Sequence, residues 1–376
     1  MVVPALVALV AVVGGACGSF GSASDPSGDG GTSPEGASGE AATGSSGATC
    51  PPSAGPSCAL GKCSLRTLYA PDAAAYPFAI ATDSAYVYWL EQRKVGADDD
   101  PYNGQGTARV LRTTRAGSND AAGAEVLATG QQWATGLALV PPYVYWATYD
   151  GSRGGLSRVK AACTAPCTPE RVVTDYSARF PRLSAGGTSA LLALAENGRV
   201  VRFPIDASGT VGNGAVVVTT GDNPGMTVTG THVYASGFQV DHVARATLDG
   251  VDSSNRWAPL SFPAGGDIGI TNLATDCTAL FGSRGPGGML ERVALDTGKV
   301  SLVATLNKDI YDVGADGKYL YVGAPNSGGI LAVDTATNEV TQIADGSAFR
   351  IAVDSAGVYW GDHTKDVGGK LTMLVK

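Results

Sequence analysis

The pattern that most limits what this chain can fold into is that it repeats itself. Tyr76-Pro-Phe-Ala-Ile-Ala-Thr-Asp-Ser-Ala-Tyr-Val-Tyr-Trp89 returns near the end as Ala348-Phe-Arg-Ile-Ala-Val-Asp-Ser-Ala-Gly-Val-Tyr-Trp360. Val-Tyr-Trp stands again at Val144–Trp146, and weaker copies occupy Arg182–Leu192, Gly225–Tyr234, Ile268–Phe281 and Asp312–Val322. Aligning one aromatic or Leu per copy gives Tyr88, Tyr145, Leu191, Tyr234, Leu280, Tyr321 and Tyr359, in steps of 57, 46, 43, 46, 41 and 38 residues. A unit of this size cannot bury its apolar face alone, so successive copies must stack on one another.

Each copy has the grammar of β-strands. An apolar segment rich in Gly and Ala leads through an Asp, Ser or Gly turn to a second strand that ends in the aromatic. A third strand opens, often after Gly-Gly, and a fourth follows a turn such as Asp249-Gly250. No stretch carries the 3.6-residue period of a long helix. Four strands every ~45 residues is the period of a β-propeller blade. The expectation is an all-β, seven-bladed propeller over residues 64–376, with six or eight blades as alternatives. The last copy stops after its third strand, Lys370–Val375, and Ser64–Tyr69 looks like the missing fourth. Pairing the two would close the ring and remove an exposed edge.

The N-terminus differs in kind. Val2–Val13 is apolar but too short to span a membrane comfortably, which takes about 20 residues. It suits a signal peptide over residues 1–17. Gly14-Gly15-Ala16-Cys17 follows and resembles the lipobox of bacterial lipoproteins, which implies lipidation at Cys17. Gly18 after that Cys, by the same resemblance, implies the outer membrane. Residues 18–63 are expected to form a disordered Ser/Gly-rich tether ending in a Cys cluster. With Cys17 set aside, six cysteines remain, an even number that favours disulfides in an exported chain. Cys163 and Cys167 form the clearest pair. Two of Cys50, Cys58 and Cys63 are expected to pair, with the third free to reach Cys277.

The Val-Tyr-Trp motifs at Tyr88-Trp89, Tyr145-Trp146 and Tyr359-Trp360 resemble those of bacterial exported propellers of the YWTD/NHL/YVTN kind. The whole is similar to tethered propeller lipoproteins of myxobacteria. The resemblance implies a location on the outer membrane, in the periplasm or outside the cell. It implies nothing specific about activity, since propellers host many unrelated functions. The aromatics themselves are expected to pack between blades.

Charge excludes one class of partner. The chain has 26 Lys+Arg against 34 Asp+Glu, a formal charge of −8. Residues 1–49 hold four acids and no base, so residues 50–376 carry 26 basic and 30 acidic residues, or −4. Nucleic-acid binding, which needs clustered cations, is not expected.

Candidate chemistry lies where the first strands enter the ring. Those positions hold Ala79, Gly136, Arg182, Gly225, Asp312 and Arg350, with Asp267 near the fifth entry and Asn223 slightly before the fourth. Arg182, Asp267, Asp312, Arg350 and Asn223 are the candidate ligand-binding residues, suited to an anionic or sugar-like molecule. The competing expectation is that these Arg and Asp residues pair with each other. Asp267 and Asp312 are the candidate calcium ligands; no other cofactor is expected. The insertion Glu91–Thr107 contains three consecutive Asp residues, expected to be a solvated loop. The three His residues, His232, His242 and His363, fall at different strand positions. The combined expectation is a monomeric, non-catalytic scaffold that binds a protein or glycan through its loops and touches the membrane only through its lipid. The alternative is a calcium-dependent hydrolase or lactonase with its site in the channel.

Overall fold

In the computed structural model, residues 62–376 are described, together with Pro56 and Cys58. The exceptions are 72–74, 94–106, 118–122, 178–179, 181, 196, 221–224, 238–239, 261–269, 285–287, 325–328, 347 and 365–367. The signal-peptide, tether and Cys17 expectations lie outside these residues.

Seven four-stranded antiparallel sheets form the blades of a propeller. The first strand of the chain, β1 (Leu65–Tyr69), stands apart from the blade that follows it. Blade 1 is β2 (Ala75–Thr82), β3 (Tyr86–Arg93), β4 (Thr107–Thr114) and β5 (Glu125–Gln132). Blade 2 is β6 (Leu137–Val140), β7 (Tyr143–Tyr149), β8 (Gly154–Lys160) and β9 (Glu170–Tyr176). Blade 3 is β10 (Arg182–Ala185), β11 (Ala190–Leu194), β12 (Arg199–Pro204) and β13 (Ala215–Thr219). Blade 4 is β14 (Gly225–Val228), β15 (His232–Ser236), β16 (His242–Thr247) and β17 (Ser253–Pro259). Blade 5 is β18 (Ile270–Thr275), β19 (Ala279–Arg284), β20 (Met289–Ala294) and β21 (Val300–Thr305). Blade 6 is β22 (Asp312–Ala315), β23 (Tyr319–Gly323), β24 (Ile330–Asp334) and β25 (Val340–Ala344). Blade 7 combines β26 (Ala348–Val353), β27 (Gly357–Thr364) and β28 (Gly368–Val375) with β1 as its outer strand. The expected closure is present: Leu65 pairs with Leu374, Arg66 with Met373 and Thr67 with Thr372. No α-helix occurs among the described residues.

The Val-Tyr-Trp motif is explained by strand alternation, in which neighbouring side chains face opposite sides of a sheet. Tyr88 shares a buried cluster with Trp146 of the next blade, while Trp89 shares one with Tyr359 of the preceding blade. Trp360 likewise lies with Tyr321 of blade 6. The Tyr of one blade and the Trp of the next therefore fill the same seam. Trp89 and Trp146 are fully buried and Trp360 nearly so.

In blades 1, 6 and 7 the Asp before the aromatic has a separate task. Asp83 Oδ1 accepts the N–H of Ala85 and Tyr86 at 2.8 and 2.7 Å. Asp316 Oδ1 does the same for Lys318 and Tyr319, and Asp354 Oδ1 for Ala356 and Gly357. This side-chain turn sets the reversal between first and second strands. The same carboxylates accept the hydroxyl five residues on: Tyr88 at 2.9 Å, Tyr321 at 2.6 Å and Tyr359 at 3.3 Å. Burial, and next the adjoining carboxylate, push all three phenols up, so they remain donors.

Two expectations are corrected in detail. In blades 3 and 5 the residues equivalent to Tyr88 are Leu192 and Phe281, not Leu191 and Leu280. Leu192 stands opposite Ser184 and Arg202, and Phe281 opposite Ala274 and Arg292, as Tyr88 stands opposite Ala81 and Arg112. Both strands are buried on both faces, so apolar pattern alone does not fix which neighbour faces which way. Glu91 also does not begin an insertion. It belongs to β3 and is fully buried, accepting from the Tyr69 hydroxyl at 2.5 Å and from Arg109 Nε at 2.8 Å. It thereby ties the closing strand to blade 1.

Candidate functional site

The first strands β2, β6, β10, β14, β18, β22 and β26 neighbour one another around the inside of the ring. Small residues let them approach. A side chain on Gly136 would meet the Leu183 nitrogen at 2.9 Å, and one on Gly314 would meet Val353 at 2.6 Å. That crowding leaves a cavity of about 110 Å³ in the channel, lined by Ala79, Gly136, Arg182, Met226, Asp312 and Arg350 among others.

Arg182 crosses this space. Its Nη2 donates to Asn272 Oδ1 of blade 5 at 2.7 Å and to Asp312 Oδ1 of blade 6 at 3.0 Å. The other oxygen of Asp312 accepts the Ile351 N–H at 2.9 Å. Asp312 is thus buried with both oxygens occupied. Asn272 is held in turn by donating to Ser283 Oγ at 3.2 Å and to the Ile310 carbonyl at 3.3 Å. Arg350 lies with its guanidinium carbon 5.1 Å from the centre of the Phe78 ring, a cation–π arrangement. Of the five candidate residues, the structure brings Arg182, Asp312 and Arg350 to one cavity; Asp267 and Asn223 lie outside the described residues. Asn272 is the channel residue that sequence reasoning missed. Among the described residues, no three His, Cys, Asp or Glu side chains converge as a metal site would require.

His232, His242 and His363 stand on three different strands. His232 and His242 begin β15 and β16, and His363 lies in β27 of another blade. His242 Nδ1 sits 2.8 Å from Asp241 Oδ1, a carboxylate that it shares with Arg256. Burial, with Arg245 adding to it, holds the His232 imidazole below its usual value.

The ring has many structural likenesses. YCF48 from Cyanidioschyzon merolae superposes with a TM-score of 0.57 at 14% identity, covering 83% of this chain and 98% of that one. YCF48 bound to D1 peptide gives 0.57 at 12% identity, covering 85% and 97%. The WD40 β-propeller domain of Doa1 gives 0.56 at 10% identity, covering 82% and 97%. These likenesses establish the propeller fold and nothing finer. No family model and no curated protein matches the sequence.

Among the described residues two disulfide pairs are formed, Cys58–Cys63 and Cys163–Cys167. Cys277 is disulfide-bonded as well. The Cys163–Cys167 loop of blade 2 is fastened to blade 1. Arg112 donates to the Ala161 and Cys163 carbonyls, and the Cys167 N–H bonds the Leu127 carbonyl at 3.0 Å.

Proposed function

We propose that this propeller is an exported, non-catalytic scaffold, tethered through a lipid on Cys17, that holds loops rigidly for a protein or glycan partner. The candidate contact face is the channel mouth with Arg182, Asp267, Asp312, Arg350 and Asn223. The observation that carries the reading is the Arg182 side chain lying across the channel. It occupies one Asp312 oxygen while a backbone N–H occupies the other, so this acid is committed to holding the ring. Disulfides fit an oxidising compartment. The YCF48 propeller bound to D1 peptide is a like fold carrying a peptide, which supports a protein as partner.

The calcium-dependent hydrolase has, among the described residues, only Asp312 of its proposed ligands. Calorimetric titration with calcium separates the two readings. The scaffold is expected to give no heat and no change in melting temperature. A calcium-dependent rise that vanishes in Asp312→Asn would select the hydrolase. For the tether, mass spectrometry of the mature N-terminus is expected to find a lipid-modified Cys17; an unmodified peptide running through Cys17 would refute it.

A further inference from the structure

The channel is not the roomiest cavity. A cleft of about 370 Å³ opens in blade 2 between the Cys163–Cys167 loop and the start of β7. Pockets that hold small ligands run from about 300 to 1,000 Å³, a range that includes this cleft and excludes the channel cavity.

Its walls are fixed on both sides. One is the disulfide loop, fastened to blade 1 by Arg112 and Leu127. The other is Arg158, whose side chain is nine-tenths buried. Its guanidinium carbon lies 4.0 Å from the centre of the Tyr143 ring. Its Nε donates to Glu170 Oε2 at 2.9 Å, and its Nη1 donates to the Tyr145 hydroxyl and the Gly209 carbonyl. A site whose walls are already held in place loses little entropy when a ligand enters.

The remaining lining groups define the occupant. Arg158 Nη2, the Lys160 ammonium, and the Thr164 and Thr168 hydroxyls make no hydrogen bond or ion pair among the described residues. The cleft's charged lining residues are Arg158, Lys160 and Glu170. Arg158 and Glu170 neutralise each other, so Lys160 leaves one positive charge over. A complementary ligand carries one negative charge for Lys160 and Arg158 Nη2. It also offers hydroxyls to Thr164, Thr168 and the second oxygen of Glu170. We propose that this cleft binds a small hydroxylated monoanion of the sugar-acid class. The proposal is independent of the channel reading, since it uses none of the channel residues.

Calorimetry on the full chain tests it with D-galacturonate, D-galactose and acetate as probes. Galacturonate is expected to bind at least tenfold more tightly than either of the others. Lys160→Ala, at an exposed side chain, is expected to weaken galacturonate at least tenfold without changing the melting temperature. Thr168→Val should weaken it less, and Arg182→Gln in the channel not at all. A trigalacturonate arm identifies the source: tighter binding of the trimer points to a polysaccharide, tighter binding of the monomer to the free acid. Absence of heat at roughly 10 mM galacturonate, weaker than any useful affinity, would overturn the proposal. So would equal binding of galactose, or binding that survives Lys160→Ala.

Discussion

At the scale of single residues, the seams between blades are held by buried charge as well as by aromatic packing. Asp354 accepts from Thr82 at 2.7 Å and from two nitrogens of Arg115 at 3.1 and 2.7 Å, while still capping its own turn. Removing one member of such a buried pair strands the other, a loss of about 3–5 kcal/mol. Asp354→Ala is therefore expected to lower stability by about 3 kcal/mol, read as a shifted urea midpoint. Arg153→Ala, which removes only the exposed partner of Asp175, should leave the midpoint unchanged. A second buried carboxylate provides a pH test. Glu291 pairs with Arg284 at 3.1 Å, yet burial pushes its carboxyl above its usual value more than Arg284 pulls it down. The folded chain then binds more protons at this site than the unfolded chain does. Stability from this group is greatest below the unfolded value of 4.5 and falls as pH rises through the raised folded value. Melting curves should show the native protein gaining stability relative to Glu291→Gln as pH is lowered from 7 toward 4.5. No relative gain would mean that burial does not raise the Glu291 carboxyl in the folded chain.

At the scale of elements, the Cys163–Cys167 loop closes five residues, worth about 2 kcal/mol in chain entropy. The double replacement Cys163→Ser/Cys167→Ser is expected to cost that amount in chemical denaturation. A non-reducing peptide map should recover Cys58–Cys63 and Cys163–Cys167, and should join Cys277 to Cys50. Strand pattern made most of this scale legible in the sequence: the turns carry Asp, the second strands carry the aromatics, and the closing strand has the grammar of a fourth strand. What it did not yield was register in the strands buried on both faces. Counting nine residues back from Leu280 gives Thr271, whereas counting from the true equivalent, Phe281, gives Asn272, which holds Arg182. In blade 3 the same one-residue error still reached Arg182, because the turn between β10 and β11 is one residue longer than that in blade 6. The Glu91–Arg109–Tyr69 triad was equally hidden. Its members lie far apart in sequence, and only closure of the ring brings Tyr69 to the other two.

At the scale of the whole molecule, closure is what makes seven sheets one body. Deleting residues 1–71 would remove β1, including fully buried Leu68, and leave β28 as an open edge. Exposed edges pair with other chains. The shortened protein is expected to elute as mixed oligomers in size-exclusion chromatography with light scattering, while the full chain elutes as a monomer. An equally monomeric truncation would show that β1 is dispensable for closure. The pairing of Leu65 with Leu374 also sets an order in time. Among the described strands, β1 is synthesised first and its partner β28 last. At about 5–20 residues per second, the chain between them takes roughly 15–60 s to make. For that interval β1 waits unpaired. A translation arrest anywhere before blade 7 would therefore yield a chain with a permanently unpaired strand, recognisable to proteases as unfinished.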